Sequence, residues 1–268
     1  MIRKQGWAGL IGGWLLVGAC VSATETGTEE ASSARTAPKP ITIGAAGFSE
    51  PCAGIDWAEL QGNLNPAAHP DFEPIPSQLT RKPKIYLRKE ALGALKLLAA
   101  AADEDGFQLE VISATRTWKH QKDIWNRKWS SAKYMGFEPL ERATKILEYS
   151  SMPGSSRHHW GTDIDLNALE NAHFESGKGL ALYEWLTTHA SEYGFVQVYG
   201  DQTNGRTGYQ EEKWHWSYWP MASKFLACYI TQPNDSLFTG FDGAEWSDSL
   251  RITERYVMGI DAPDSGNR

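Results

Sequence analysis

Ser156-Arg157-His158-His159-Trp160-Gly161-Thr162-Asp163-Ile164-Asp165 gathers two histidines and two aspartates around one glycine. From Gly161 to Leu166 the residues read as a strand entered from a glycine turn. Strand side chains alternate, so Asp163 and Asp165 share one face, and Ile164 and Leu166 share the other. Burying two carboxylates on one strand face is costly unless they are paired or bind a metal. His158 lies ahead of the glycine, after a Pro153-Gly154-Ser155-Ser156 loop that can bend it back over the strand.

A second segment, Glu212-Lys213-Trp214-His215, completes a donor set. A catalytic zinc site has three protein ligands and keeps a fourth position for water; imidazole and carboxylate both suit the ion. His158, Asp165 and His215 are the expected ligands, with Glu212 as the base beside the bound water. His215 lies within a second expected strand, Trp214–Trp219. A straight strand would place Glu212 and His215 on opposite faces, so the site requires a bend near Lys213. The bland alternatives are two surface histidines in a serine-rich loop and an Asp-x-Asp pair that caps a turn.

The two segments resemble the zinc D-alanyl-D-alanine carboxypeptidases of the VanY type, in a wider group with lysostaphin-like peptidases and the hedgehog signalling domain. That family's pattern is Ser-x-His-x-x-Gly-x-Ala-x-Asp, then Glu-x-x-His and an aromatic. Ser156, His158, Gly161, Asp165, Glu212, His215 and Trp216 match it. The match selects His158 over His159 and Glu212 over Glu211. Asp163 departs from it, standing where alanine is usual. Ser113-Ala114-Thr115-Arg116-Thr117 and Gln121 resemble the family's Ser-Gly-Tyr-Arg-Ser…Gln, with Ala114-Thr115 in place of Gly-Tyr. The resemblance spans roughly residues 80 to 220. It implies an α+β fold: a small, mainly antiparallel sheet carrying the zinc site, flanked by helices. It implies that Arg116 binds substrate or stabilises the oxyanion, and that Gln121 and Ser156 position the peptide. The implied substrate is the D-Ala-D-Ala end of a peptidoglycan stem peptide. A different cut (endopeptidase or L,D-carboxypeptidase) and a non-catalytic wall-binding module are the rival readings.

The 268 residues, 41% of them apolar, support a sizeable core. A net charge of −7 argues against nucleic acid as a partner. Arg3 and Lys4 precede a short apolar run, Gly6 to Gly18, that is too short to span a bilayer. It ends Val17-Gly18-Ala19-Cys20, which resembles a bacterial lipobox. Residues 1–20 are therefore expected to be a lipoprotein signal peptide, with Cys20 lipidated and the chain exported and membrane-anchored in the cell envelope. Residues 21–42, rich in Ser, Thr, Glu and Ala, read as a disordered tether. The peptidase domain is expected over 43–230 and an extension of unknown role over 231–268. Cys52 and Cys228 remain as an even pair in an oxidising compartment, and a disulfide between them is expected.

Within the domain, periodicity predicts helices over Leu87–Asp103, Thr117–Tyr134, Pro139–Tyr149, Gly179–Tyr193 and Met221–Ile230. It predicts strands over Phe107–Ile112 and Gly194–Tyr199, and a helical stretch near Trp246–Met258.

Overall fold

The computed structural model describes residues 52–232, 235 and 238–263. Cys20, the signal segment and the tether lie outside them. The expected α+β architecture is the one observed. Four short strands, β3 (Val111–Ser113), β4 (Asp163–Leu166), β5 (Phe195–Val196) and β6 (His215–Tyr218), form a sheet in the order β3-β4-β6-β5. Every neighbouring pair is antiparallel. A separate two-stranded pair joins β1 (Phe72–Pro74) to β2 (Tyr86–Arg88). β1 lies outside the elements predicted from periodicity, and β2 takes the first two residues of the helix expected from Leu87, which starts instead at Lys89.

Strand alternation separates two chemistries across the sheet. Ile164, Leu166, Trp216, Phe195 and Val111 pack on one face with helices α2 (Lys89–Glu104) and α5 (Gly177–His189). The buried residues of α2 are Ala91, Leu92, Leu95, Leu98 and Ala102, a stripe at helical spacing. The strand's other side chains, Asp163 and Asp165, are equally buried but polar. They face a second apolar cluster supplied by α3 (Trp118–Trp129), α4 (Pro139–Ile146), α6 (Trp219–Tyr229) and the C-terminal residues.

Several elements are shorter than periodicity predicts. The strand expected over Phe107–Ile112 pairs only at Val111–Ser113, and that over Gly194–Tyr199 only at Phe195–Val196. The helix expected to Tyr134 ends at Trp129, where Ser130 closes it through backbone bonds. The stretch near Trp246–Met258 is broken by Arg251, which adopts a positive φ of 53° between α7 (Ser247–Leu250) and a wide turn over Thr253–Val257.

The C-terminal residues belong to the core. Phe241, Leu250, Ile252, Tyr256, Val257 and Ile260 are buried in the same cluster as Trp125, Tyr199 and Tyr209. Trp125 donates its indole N–H to the Asp242 carbonyl at 2.7 Å. The Asp261 carboxylate accepts from the Gly200 amide at 2.9 Å and from the Asn204 side chain at 2.7 Å, and so ties down the loop after β5. Cys52 and Cys228 form a disulfide, with Cα atoms 4.8 Å apart, joining the start of the described chain, just ahead of helix α1 (Trp57–Leu60), to α6.

Ile252 is fully buried, so Ile252→Ala is expected to destabilise the protein by about 2–5 kcal/mol through the cavity it leaves. Equilibrium denaturant unfolding checks this. A loss under about 0.5 kcal/mol, the range of surface substitutions, would mean that the C-terminal residues are an appendage.

Candidate metal centre

The β4–β6 pairing sets Asp165 opposite His215 and Asp163 opposite Ser217, so all four side chains meet on one buried face. A tight turn precedes β6: the His215 amide bonds the Glu212 carbonyl at 3.1 Å. This is the bend the sequence required. It brings a Glu212 carboxylate oxygen to 3.6 Å from His215 Nδ1. His158 arrives on a single helical turn, Arg157–Trp160, which Gly161 ends at a φ of 71°. A side chain at position 161 would collide with Phe72 and Arg88. Glycine therefore meets both requirements of this turn.

One ligand atom each from His158, Asp165 and His215 lie within 4.8 Å of one another. Asp165 Oδ1 is 3.3 Å from His158 Nε2 and 3.1 Å from His215 Nδ1. His158 Nδ1 is 2.8 Å from the Ala114 carbonyl, which can only accept. That nitrogen therefore carries the proton, and the Nε2 lone pair turns to the cluster. A carboxylate and two imidazoles, His215 after release of its Nδ1 proton, fit a divalent metal of borderline softness. His158, Asp165 and His215 could hold one.

The electrostatics of the cluster follow from burial and the close pairing of charges. Burial opposes ionisation of Asp165, but the neighbouring His158, His215 and Arg116 hold its carboxyl well below the usual range. Burial opposes a charged His215 too, yet hydrogen bonds and charge from Asp163 and Asp165 raise it to about 9. His158 is lowered by burial and by the Arg116 guanidinium. Burial pushes Glu212 up to about 7, an effect that His215 and Arg116 only partly offset.

Arg116 sits at the rim, partly exposed. It donates from Nη2 to Asp165 Oδ2 at 2.7 Å and from Nε to Ser113 Oγ at 2.9 Å, and its Nη1 is 3.5 Å from Gln121 Oε1. Gln121 is fully buried and donates to the Ser151 carbonyl at 2.8 Å. Ser156 Oγ is buried and has no hydrogen-bond partner among the described residues.

Sequence reasoning passed over several neighbours. Lys128 lies seven residues after Gln121, two turns along the same face of α3. It bonds Ser150 Oγ, and its charge is felt by Glu212. That helical spacing was the available signal. Arg157 and Ser217 lie beneath the cluster beside Asp163. Their roles depend on the strand register, which no local motif reports.

His159 is excluded from the ligand set by its bonds. Its Nδ1 donates to the Arg116 carbonyl at 2.6 Å and its Nε2 accepts from the Gly154 amide at 3.1 Å. Burial lowers it from 6.5 to about 3, so the folded chain refuses a proton that the unfolded chain accepts near 6.5. Between those values the unfolded state binds more protons, and stability falls as pH drops. Gln offers one donor and one acceptor without titrating. From pH 6 to pH 4, wild type is expected to lose stability relative to His159→Gln at about 1.4 kcal/mol per pH unit. A wild-type-to-variant difference that stays constant across that range, measured by urea unfolding, would contradict the assignment.

The geometry defines a buried three-donor centre with a titratable carboxylate at its edge. The chain belongs to the VanY family of D-alanyl-D-alanine carboxypeptidases, whose model matches residues 84–221. It is 32% identical over 155 residues to YodJ of Bacillus subtilis (strain 168), covering 57% of this chain and 52% of that protein. It is 26% identical over 163 residues to a D-alanyl-D-alanine carboxypeptidase of Enterococcus faecalis (strain ATCC 700802 / V583), covering 61% and 59%. The chain thus spans rather more than half the length of these curated relatives. Among solved structures it is similar to the LD-carboxypeptidase LdcB, with a TM-score of 0.47 and 24% identity over 74% of this chain and 78% of that one. It is also similar to VanYB in complex with D-alanine-D-alanine, with a TM-score of 0.46 and 22% identity over 66% and 93%.

Proposed function

We propose that this protein is a zinc peptidase that removes the terminal D-alanine from D-Ala-D-Ala stem peptides of peptidoglycan. The observation that carries the reading is the convergence of His158, Asp165 and His215, with the Glu212 carboxylate 3.6 Å from one of them. Family membership supports the substrate class. Zinc held by these three residues would supply an acidified water and polarise the scissile carbonyl.

The chain's own groups do the rest. Glu212, poised at about 7, accepts the proton of the attacking water and returns it to the leaving amine. Such exchange is most effective when the carrier titrates near the working pH. Arg116 is anchored by Asp165 and Ser113 and presents the remainder of its guanidinium to developing charge on the substrate. Ser156 Oγ, buried and unpartnered among the described residues, gives a hydrogen bond to the bound peptide. Gln121 steadies the Arg116 head and the 151 carbonyl.

We place the enzyme at the cell envelope, exported and held by a lipid on Cys20. The supporting feature is the lipobox-like Val17-Gly18-Ala19-Cys20. Among the described residues no helix is long and apolar enough to cross a membrane.

The test digests a synthetic pentapeptide ending in D-Ala-D-Ala and identifies the products by mass. Release of a single D-alanine by wild type is expected. Glu212→Gln is expected to lower kcat by about 10²–10⁴-fold while the protein keeps its zinc and its fold, and Glu211→Gln is expected to be nearly silent. Cleavage only at an L,D bond or only within cross-links would move the assignment to those activities. Near-wild-type turnover by Glu212→Gln would remove it as the base.

A further inference from the structure

Each ring nitrogen of His215 faces a different carboxylate. Nδ1 is 3.1 Å from Asp165 Oδ1, within the cluster, and Nε2 is 3.0 Å from Asp163 Oδ2, behind it. A carboxylate can only accept, so the rear hydrogen bond keeps a proton on Nε2. Nδ1, which also faces a carboxylate, is the nitrogen left to give up its proton and offer a lone pair to a metal in the cluster.

Asp163 is held in place from all sides. Its Oδ1 accepts from Thr162 Oγ1 at 2.7 Å and from Ser217 Oγ at 2.8 Å. Its Oδ2 accepts from Arg157 Nε at 3.0 Å as well as from His215. About four lone-pair sites are available on a carboxylate, and all are used. Arg157 also donates to Ser217 Oγ at 2.7 Å and lies with its guanidinium 4.5 Å from the centre of the Trp160 ring. Asp163 is 0% and Arg157 1% exposed, so neither side chain has water as an alternative partner.

The two histidines are therefore oriented by different means. His158 is held by the main-chain carbonyl of Ala114, which no substitution removes. His215 is held by a side chain at a position where the related sequence pattern has alanine. We propose that Asp163, clamped by Arg157, is the positioning residue for His215. It sets the ring's tautomer and angle and so raises the affinity of the centre for its metal. The inference rests on the zinc reading above. It gives Arg157 an indirect role, exerted through Asp163 alone.

Asp163→Ala leaves the buried Arg157 without its counter-charge, a strongly destabilising change. The Arg157→Met/Asp163→Ala double variant removes both charges together and keeps the test independent of that loss. Zinc dissociation constants of the full chain would be measured by competition with a chromogenic chelator, alongside melting temperatures. Leu98→Ala, fully buried in the opposite core, serves as a control that weakens the fold without approaching the centre. The expected result is a 10–100-fold weaker zinc affinity in the double variant, the usual effect of losing an outer partner of a metal-bound histidine, with wild-type affinity in Leu98→Ala. Wild-type affinity in a well-folded double variant would overturn this inference alone. Equal weakening in Leu98→Ala would overturn it as well, by tracing the effect to stability. A wild-type chain that takes up no zinc would overturn both this inference and the metal reading beneath it.

Discussion

The structure depends on one costly arrangement: two carboxylates, Asp163 and Asp165, buried on a single face of the central strand β4. Taking an ionised carboxylate out of water costs several kcal/mol unless partners compensate it. The compensation is provided residue by residue. Arg157 and two hydroxyls take Asp163; Arg116 takes Asp165; His215 bridges the pair through its two nitrogens. Removing any one of these partners leaves a buried charge less compensated. The antiparallel register that sets Asp165 against His215 is thus enforced electrostatically as well as by the apolar face behind it. A slip of one residue would bring Ile164 and Leu166 to the polar side.

That arrangement explains why the chain surrounds a small sheet with so much apolar mass. Tyr199 lies 4.7 Å from the His215 ring, and Tyr209 packs on Tyr199 at 5.0 Å. Tyr256, from the C-terminal residues, lies 5.2 Å from Tyr209. A continuous aromatic column therefore runs from the centre to the last described turns. Through this column the C-terminal residues are packed in series with the His215 ring. The same dry surroundings push Glu212 towards neutrality, which suits the proton exchange proposed for it.

Much of the site was legible because its signals are local. Alternation placed Asp163 and Asp165 together, and the three-residue offset of Glu212 from His215 demanded the bend that the turn supplies. The interval from His158 to Asp165, matched to a known pattern, chose between adjacent histidines; the bonds of His159 to Arg116 and Gly154 give the physical reason. What escaped the sequence is non-local. The β1–β2 pair is three residues long on each side and contains Pro74, so it carries little periodicity. The packing of Phe241 and Ile252 on Trp125 and its neighbours is a contact across more than a hundred residues. Arg157 carries no local signal; only the strand register sets Asp163 and Ser217 beside it.

The central claim is that His158, Asp165 and His215 together hold one zinc. The most direct measurement is the metal content of the purified full chain by elemental analysis, wild type against a His158→Ala/Asp165→Ala/His215→Ala triple variant. Circular dichroism would establish that both are folded. The account predicts about one zinc per wild-type chain, matching a single three-ligand site, and none in the triple variant. Stoichiometric zinc in a folded triple variant would contradict it.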